Sequence, residues 1–319
     1  MPKKKLAVFC HLGLGDGVVS TILSNNFHQN HWETVTYHDT MLHLQSWFPH
    51  LPIACYPQIA SIPQILEEND LILVFQNDTH EFVLELIKEG KKQAPEKLRV
   101  FYPYPSKNIF HSPYYNDSRI NPTISFVDNL YLFCKELIGL DKTTKNNGMI
   151  APRDAIFKKH EKRVVMHIAS SRAGKNWPIK KFLALGRRML ADGFTVALLA
   201  GIEKLQKPFF PFEKEGFLVP KLFSLHEVAK YIYESGYHIG NDSGLGHLAS
   251  AMGIDTVTIA RRKTVGLFWR PGWGNNEYVT PLSIIPNISG LRIRDTYWKN
   301  LISHKKVYRH FLKLVKTVT

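Results

Sequence analysis

The chain has 319 residues, 44% of them apolar, and a net charge of +14, which excludes a disordered or fibrous polypeptide and suits two globular domains. No apolar run reaches the roughly 18–20 residues of a membrane span, and the basic N-terminus lacks the apolar stretch and cleavage site of a signal peptide. Three widely spaced cysteines (Cys10, Cys55, Cys134) fit neither a disulfide framework nor a zinc site, so a cytoplasmic protein is expected.

In chain order, strands are predicted at 6–11, 34–38, 53–57, 71–76 and 98–103, with helical apolar spacing at 17–27 and 80–91. A long polar and aromatic loop, 102–123, precedes a helix at 125–139. The segment 140–163 is polar and broken by Gly and Pro, and it reads as a linker. The pattern then restarts, with strands at 164–169, 194–200, 217–220, 236–240 and 256–260 and helices at 178–191, 224–235 and 244–252. Such alternation predicts an α/β protein of two Rossmann-like, doubly wound parallel-sheet domains, residues 1–155 and 156–319. Ligands are expected in the cleft between them, outside the carboxyl ends of the strands.

Charge separates the halves. Residues 1–150 hold 13 Lys and Arg against 15 Asp and Glu, a net of −2; residues 151–319 hold 28 against 12, a net of +16. An anionic partner for the second half follows: a nucleotide, a nucleic acid or an anionic membrane surface.

Three strand-to-helix turns carry chemistry. The first, "FCHLGLGDGVVST" (9–21), lacks the third glycine of the dinucleotide fingerprint, where Val18 stands, and the lysine of the phosphate loop. It displays Asp16 where a phosphate would normally sit. The second, "HIASSRAGKNWPIKKF" (167–182), offers the hydroxyls of Ser170 and Ser171, the cations Arg172 and Lys175, and Pro178 for the first turn of a helix. The third, "YHIGNDSGLGHLASAMG" (237–253), ends a strand at Gly240 and follows it with the capping residues Asn241, Asp242 and Ser243. Gly244 and Gly246 keep the first helical turn free of bulk, and His247 is expected one turn in, facing an anion at the helix N-terminus. A basic loop beside such a helix start suits a pyrophosphate.

The order G-L-G-D-G, S-S-R-A-G-K-N-W-P, N-D-S-G-L-G-H-L-A-S-A-M-G, spread over residues 6–260, resembles the lipopolysaccharide heptosyltransferases of glycosyltransferase family 9. The resemblance implies the GT-B architecture, and sugar transfer with inversion from a nucleoside-diphosphate sugar such as ADP-heptose. It also implies no cofactor and no protein-bound metal. By resemblance Asp16 is the general base on the acceptor side, with Gly13, Gly15 and Gly17 leaving room for a sugar near the backbone. Lys175 would neutralise the departing diphosphate, and Ser170 and Ser171 would bind its oxygens. Asp242 would orient its loop, the N–H groups of Ser243, Gly244 and Leu245 would hold the pyrophosphate, with His247 facing it, and Glu203 would bind ribose. The chain departs from the family after the strand 256–260, where "IARRKTVGLFWRPGWGNN" (259–276) replaces a Gly-Pro-Thr/Ser-type turn.

Other classes fit less well. A nicotinamide oxidoreductase lacks its glycine fingerprint, and a nucleic-acid-binding protein lacks any recognition signature, so no nucleic-acid partner is expected. A non-catalytic sugar-nucleotide-binding protein would not need Asp16 and Lys175 together. Lys107, His111 and Arg119 in the loop 102–123 are the candidates for an anionic acceptor, a glycolipid such as lipopolysaccharide inner core. The basic, amphipathic segment 304–318 is expected to pack back on the N-terminal domain, with peripheral contact to the cytoplasmic face of the inner membrane as its other role.

Overall fold

The computed structural model describes residues 2–77, 79–101, 120–121, 123–169, 173–200, 210–262, 268–282 and 293–316. The chain divides into two compact units, Met1–Pro152 and Arg153–Thr319. Each is built on a five-stranded, wholly parallel sheet.

The first unit runs β1 (Lys5–Phe9), α1 (Leu14–Gln29), β2 (Glu33–Tyr37), α2 (Asp39–Leu42), β3 (Ile53–Ala54), α3 (Ile62–Glu68), β4 (Leu71–Phe75), α4 (Glu81–Gln93), β5 (Leu98–Phe101) and α5 (Phe126–Leu132). Its strand order is β3-β2-β1-β4-β5. Helices cover both faces of such a sheet, so the central strands read as unbroken apolar runs: all five residues of β4, "LILVF", are buried. In α4, Phe82, Val83 and Leu86 occupy one face and pack into that core, each worth roughly 1.5–3 kcal/mol of burial.

Helix α1 is buried along most of its length, although it carries Asn25 and Asn26 and ends on the C-cap Asn30. Asn26 and Asn30, one turn apart, each grip a backbone amide of the segment predicted as a linker. Asn26 donates to Thr144 O and accepts from Thr144 N at 2.8 and 2.7 Å; Asn30 does the same with Lys142 at 2.7 and 3.1 Å. Asn25 adds a bond to Asn146 O. Residues 142–147 are therefore a strap fastened to α1, because a carboxamide can mimic the donor and acceptor of a neighbouring strand.

The second unit runs β6 (His160–His167), α6 (Ile179–Ala191), β7 (Thr195–Leu199), α7 (Phe210–Glu213), α8 (Leu225–Tyr233), β8 (Ser235–Asn241), α9 (Gly244–Ala251), β9 (Asp255–Ile259), β10 (Asn276–Val279), α10 (Ile293–Leu301) and α11 (His304–Lys316). The order is β10-β9-β8-β6-β7. The strand expected at 217–220 is only a single parallel bridge between Leu218 and Ala197. Helix α8 opens with a complete capping box between Ser224 and Glu227. Lys181 of α6 donates to the carbonyls of Lys299, Asn300 and Ile302, closing the C-terminal end of α10.

Helix α11 buries Val307, Phe311 and Leu314 in the core of its own unit, where Phe311 meets Phe194 and Tyr237 edge-on. The apolar stripe of α11 is thus covered by its own unit. What α11 exposes is Lys305, Arg309, Lys313 and Lys316. Among the described residues no helix is long and apolar enough to cross a membrane.

Candidate functional site

In each sheet the chain reverses its direction of winding beside its first strand, between β1 and β4 and between β6 and β8. Crossover loops diverge there and open a crevice at the carboxyl ends. The three motif turns lie at those points.

In the first unit α1 starts at Leu14, and its N-cap, Gly13, has no side chain to give. Asp16 is the third helical residue, so it is not the N-cap. Its carboxylate folds back over Gly13, where a Cβ would lie 2.2 Å from Oδ2. A negative charge in a first helical turn interacts favourably with the helix dipole. His11 Nδ1 stands 3.9 Å away, with both side chains partly exposed. The room expected at Gly17 for a sugar is filled: a Cβ there would meet Met41 Cγ at 2.5 Å and His38 Cδ2 at 2.7 Å. Gly17 serves internal packing.

His38 ties the turn down. Met41 N donates to its Nδ1 at 3.2 Å, so Nε2 carries the proton and donates to Gly13 O at 3.0 Å. Burial holds the His38 pKa below its ordinary value and keeps the ring neutral. Tyr56, its ring tilted by 42° against His80 at 4.5 Å, donates its hydroxyl to Cys10 O. His11, His38 and His80 thus surround the Asp16 turn. Sequence reasoning missed them, although each is among the first polar residues after a strand.

In the second unit Lys175 ends a short 3-10 turn (Ala173–Lys175), and its Nζ lies 3.0 Å from Asp242 Oδ2. Trp177, fully buried, fixes this loop: its N–H donates to Asn241 Oδ1 at 2.8 Å, and its indole N–H donates to Ile302 O at 3.1 Å. Ser243 is the N-cap of α9 but makes no capping bond, because its Oγ pairs with His167 Nδ1 at 3.1 Å. All three expected capping side chains therefore turn to other partners, and the first N–H groups of α9 get no side-chain cap from them. That is the chemistry of an anion seat.

His247 lies inside the fold, edge-on to Trp269 at 5.8 Å. Burial lowers its pKa to about 4, so the ring is a neutral imidazole. His167 is lowered to about 4 and His238 to about 3, also by burial. A pocket of about 340 Å³ opens from Lys175 and Asp242 across the ends of β9 and β10 to Arg261, Arg262, Tyr278 and Trp298. No group of three or more His, Cys, Asp or Glu among the described residues is placed to hold a metal ion. Ser170, Ser171 and Arg172, Glu203, and the acceptor candidates Lys107, His111 and Arg119 lie outside the described residues.

Two units, each on a Rossmann-like parallel sheet, make up the GT-B fold. The chain is similar in structure to a family 9 glycosyl transferase from Veillonella parvula (15% identity, 99% of both chains covered, TM-score 0.70). It is also similar to the E. coli heptosyltransferase WaaC with ADP (14% identity, 97% of this chain and 99% of that one, TM-score 0.64). E. coli ADP-heptose lipopolysaccharide heptosyltransferase II gives 13% identity, 98% and 99% coverage and a TM-score of 0.63. No curated protein sequence matches significantly. Residues 127–286, just over half of the chain, match the sequence profile of glycosyltransferase family 9 (heptosyltransferase). The chain belongs to glycosyltransferase family 9, and it is a glycosyltransferase.

Proposed function

We propose that this enzyme moves a sugar, with inversion, from a nucleoside-diphosphate donor bound by the second unit to a glycan acceptor bound by the first. The observation that carries the reading is the Lys175–Asp242 ion pair beside the open N-terminus of α9, at the winding reversal of the second sheet. A diphosphate seated there gains the α9 N–H groups and the dipole end, and Lys175 offsets the charge that grows on it as the glycosidic bond breaks. Ser243, Gly244 and Leu245 supply those N–H groups, Asp242 orients Lys175, and Ser170, Ser171 and Glu203 complete the donor site. Asp16 takes the proton from the attacking acceptor hydroxyl.

ADP-heptose is the reference donor, since a structural relative is named for its use. The acceptor is an anionic glycolipid of the lipopolysaccharide-core type, met by Lys107, His111 and Arg119, and the exposed cations of α11 suit an anionic membrane surface beside it. The test is calorimetric titration of the full chain with ADP, UDP and GDP and their sugars, followed by transfer assays with the donor that binds. Micromolar binding of one nucleoside diphosphate, lost in Lys175→Ala, is expected. Absence of binding by all of them overturns the reading.

A further inference from the structure

The pocket that begins at the diphosphate seat ends on two adjacent cations. Arg261 and Arg262 follow β9, at the point where the sequence leaves its family's pattern. Both reach Asp295 in the first turn of α10. Arg262 makes three bonds to it, Nε at 3.1 and 3.0 Å and Nη2 at 2.6 Å, whereas Arg261 makes one ion contact, at 3.2 Å. Asp295 is 4% exposed. The two guanidinium groups are nearly half exposed and line the pocket.

One buried carboxylate neutralises one of the two arginines. Arg262, held along one edge, has the contacts of a structural clamp between the β9 loop and α10. Arg261 is the charge left over, and its position is fixed by the same carboxylate. A lone structural tie needs a single arginine. The second leaves the trio with one net positive charge among the described residues and sets an oriented fork of N–H donors on the wall of a ligand pocket, a fork suited to bidentate binding of carboxylate and phosphate groups.

Lys175 and the α9 terminus already meet the donor's diphosphate. We infer that the transferred sugar itself carries an acidic group, a carboxylate or a phosphate, recognised by Arg261 with Arg262 behind it. The inference rests on the nucleoside-diphosphate part of the donor reading above and replaces its reference donor, the neutral ADP-heptose: the preferred donor is a nucleoside diphosphate of an acidic sugar. Tyr278 and Trp298 on the same walls supply flat surfaces for the sugar ring.

The experiment titrates the full chain with three probes sharing one nucleotide: the diphosphate alone, its neutral hexose conjugate and its uronic acid conjugate. ADP and UDP series are both run, and ADP-heptose is a further neutral probe. A sugar phosphate conjugate separates phosphate from carboxylate. An acidic conjugate is expected to bind at least about tenfold tighter than its neutral counterpart, the factor set by a charge-assisted hydrogen bond. Arg261→Gln should abolish that preference and leave affinity for the diphosphate alone within about twofold, since it removes no diphosphate contact. Arg261→Lys should restore part of the preference. Arg261 is the residue to vary, because Arg262→Gln would strip most of the partners from a buried carboxylate.

Equal binding of acidic and neutral conjugates, or tighter binding of ADP-heptose, overturns the inference and leaves the transferase reading standing. Equal loss of diphosphate and conjugate affinity in Arg261→Gln assigns the arginines to the diphosphate and overturns it as well. Failure of every nucleotide to bind overturns the donor reading instead.

Discussion

Lys175 Nζ and Asp242 Oδ2 stand 3.0 Å apart, joining the loop after β6 to the loop after β8 across the winding reversal of the second sheet. The lysine is 46% exposed, so the pair adds little to stability. On the proposed donor reading, its value lies in holding a cation at the diphosphate seat before the ligand arrives. Lys175→Ala is expected to lower kcat/KM by about 2–4 kcal/mol of transition-state stabilisation, as for loss of one preorganised charge donor. Folding should be unaffected within about 0.5 kcal/mol. Steady-state kinetics alongside urea denaturation measures both, and a large loss of stability with unchanged kinetics would refute the assignment.

Asp16 belongs to the other unit, which separates its effect from donor binding. Asp16→Asn keeps the shape of the first turn of α1 and removes the base. Transfer should fall by about 10²–10⁴-fold, the usual contribution of a positioned general base. Donor affinity, read by calorimetry, should remain at the wild-type value. Near-normal turnover in Asp16→Asn would reduce the residue to a first-turn charge serving the helix dipole.

The glycine turn around Asp16 makes a structural prediction. Gly17→Ala would drive a Cβ against His38 and Met41, at 2.7 and 2.5 Å. His38 cannot retreat freely, because both ring nitrogens are engaged, with Gly13 O and Met41 N. A cost of about 1–3 kcal/mol is expected from overpacking. Pairing Gly17→Ala with Met41→Ala should recover part of it, and denaturation midpoints decide.

Much of the fold was legible because buried parallel strands are apolar runs and cannot easily be anything else. Strand β4 and strand β8 stand within a residue or two of their predicted places. Strand β10, "NEYV", escaped because it is a half-buried edge strand without that run. The linker predicted at 140–163 does hold the boundary between the units, at Pro152 and Arg153, but the fastening of its first part, 142–147, escaped: the anchors are the carboxamides of Asn25, Asn26 and Asn30, and an asparagine's partner 112–121 residues away leaves no local pattern. The phosphate-seat motifs were legible as types and spacing. Which side chain meets which was not: Ser243 reads as a cap and instead pairs with His167. The Arg261–Asp295 contact joins the loop after β9 to the first turn of α10, and Arg261 was seen only as part of a departure from a family pattern.

The buried histidines of the second unit make its stability depend on pH. His167 and His247 have pKa values lowered to about 4 and His238 to about 3, all chiefly by loss of water around the charged form. His238 is 1% exposed, and neither of its ring nitrogens has a hydrogen-bond partner. An unfolded histidine binds its proton near pH 6.5, whereas these bind theirs only well below that. Between about pH 6.5 and pH 4 the unfolded state therefore holds more protons, so stability rises with pH across that window and levels off above it. Each such group adds a slope of up to about 1.4 kcal/mol per pH unit. Urea midpoints measured from pH 7.5 to pH 5 should fall steeply as the pH drops. His238→Phe, which fills a similar volume without a titrating group, should flatten the slope by about one proton's share. A profile unchanged by that substitution would mean that His238 binds its proton equally well in the folded and unfolded chain.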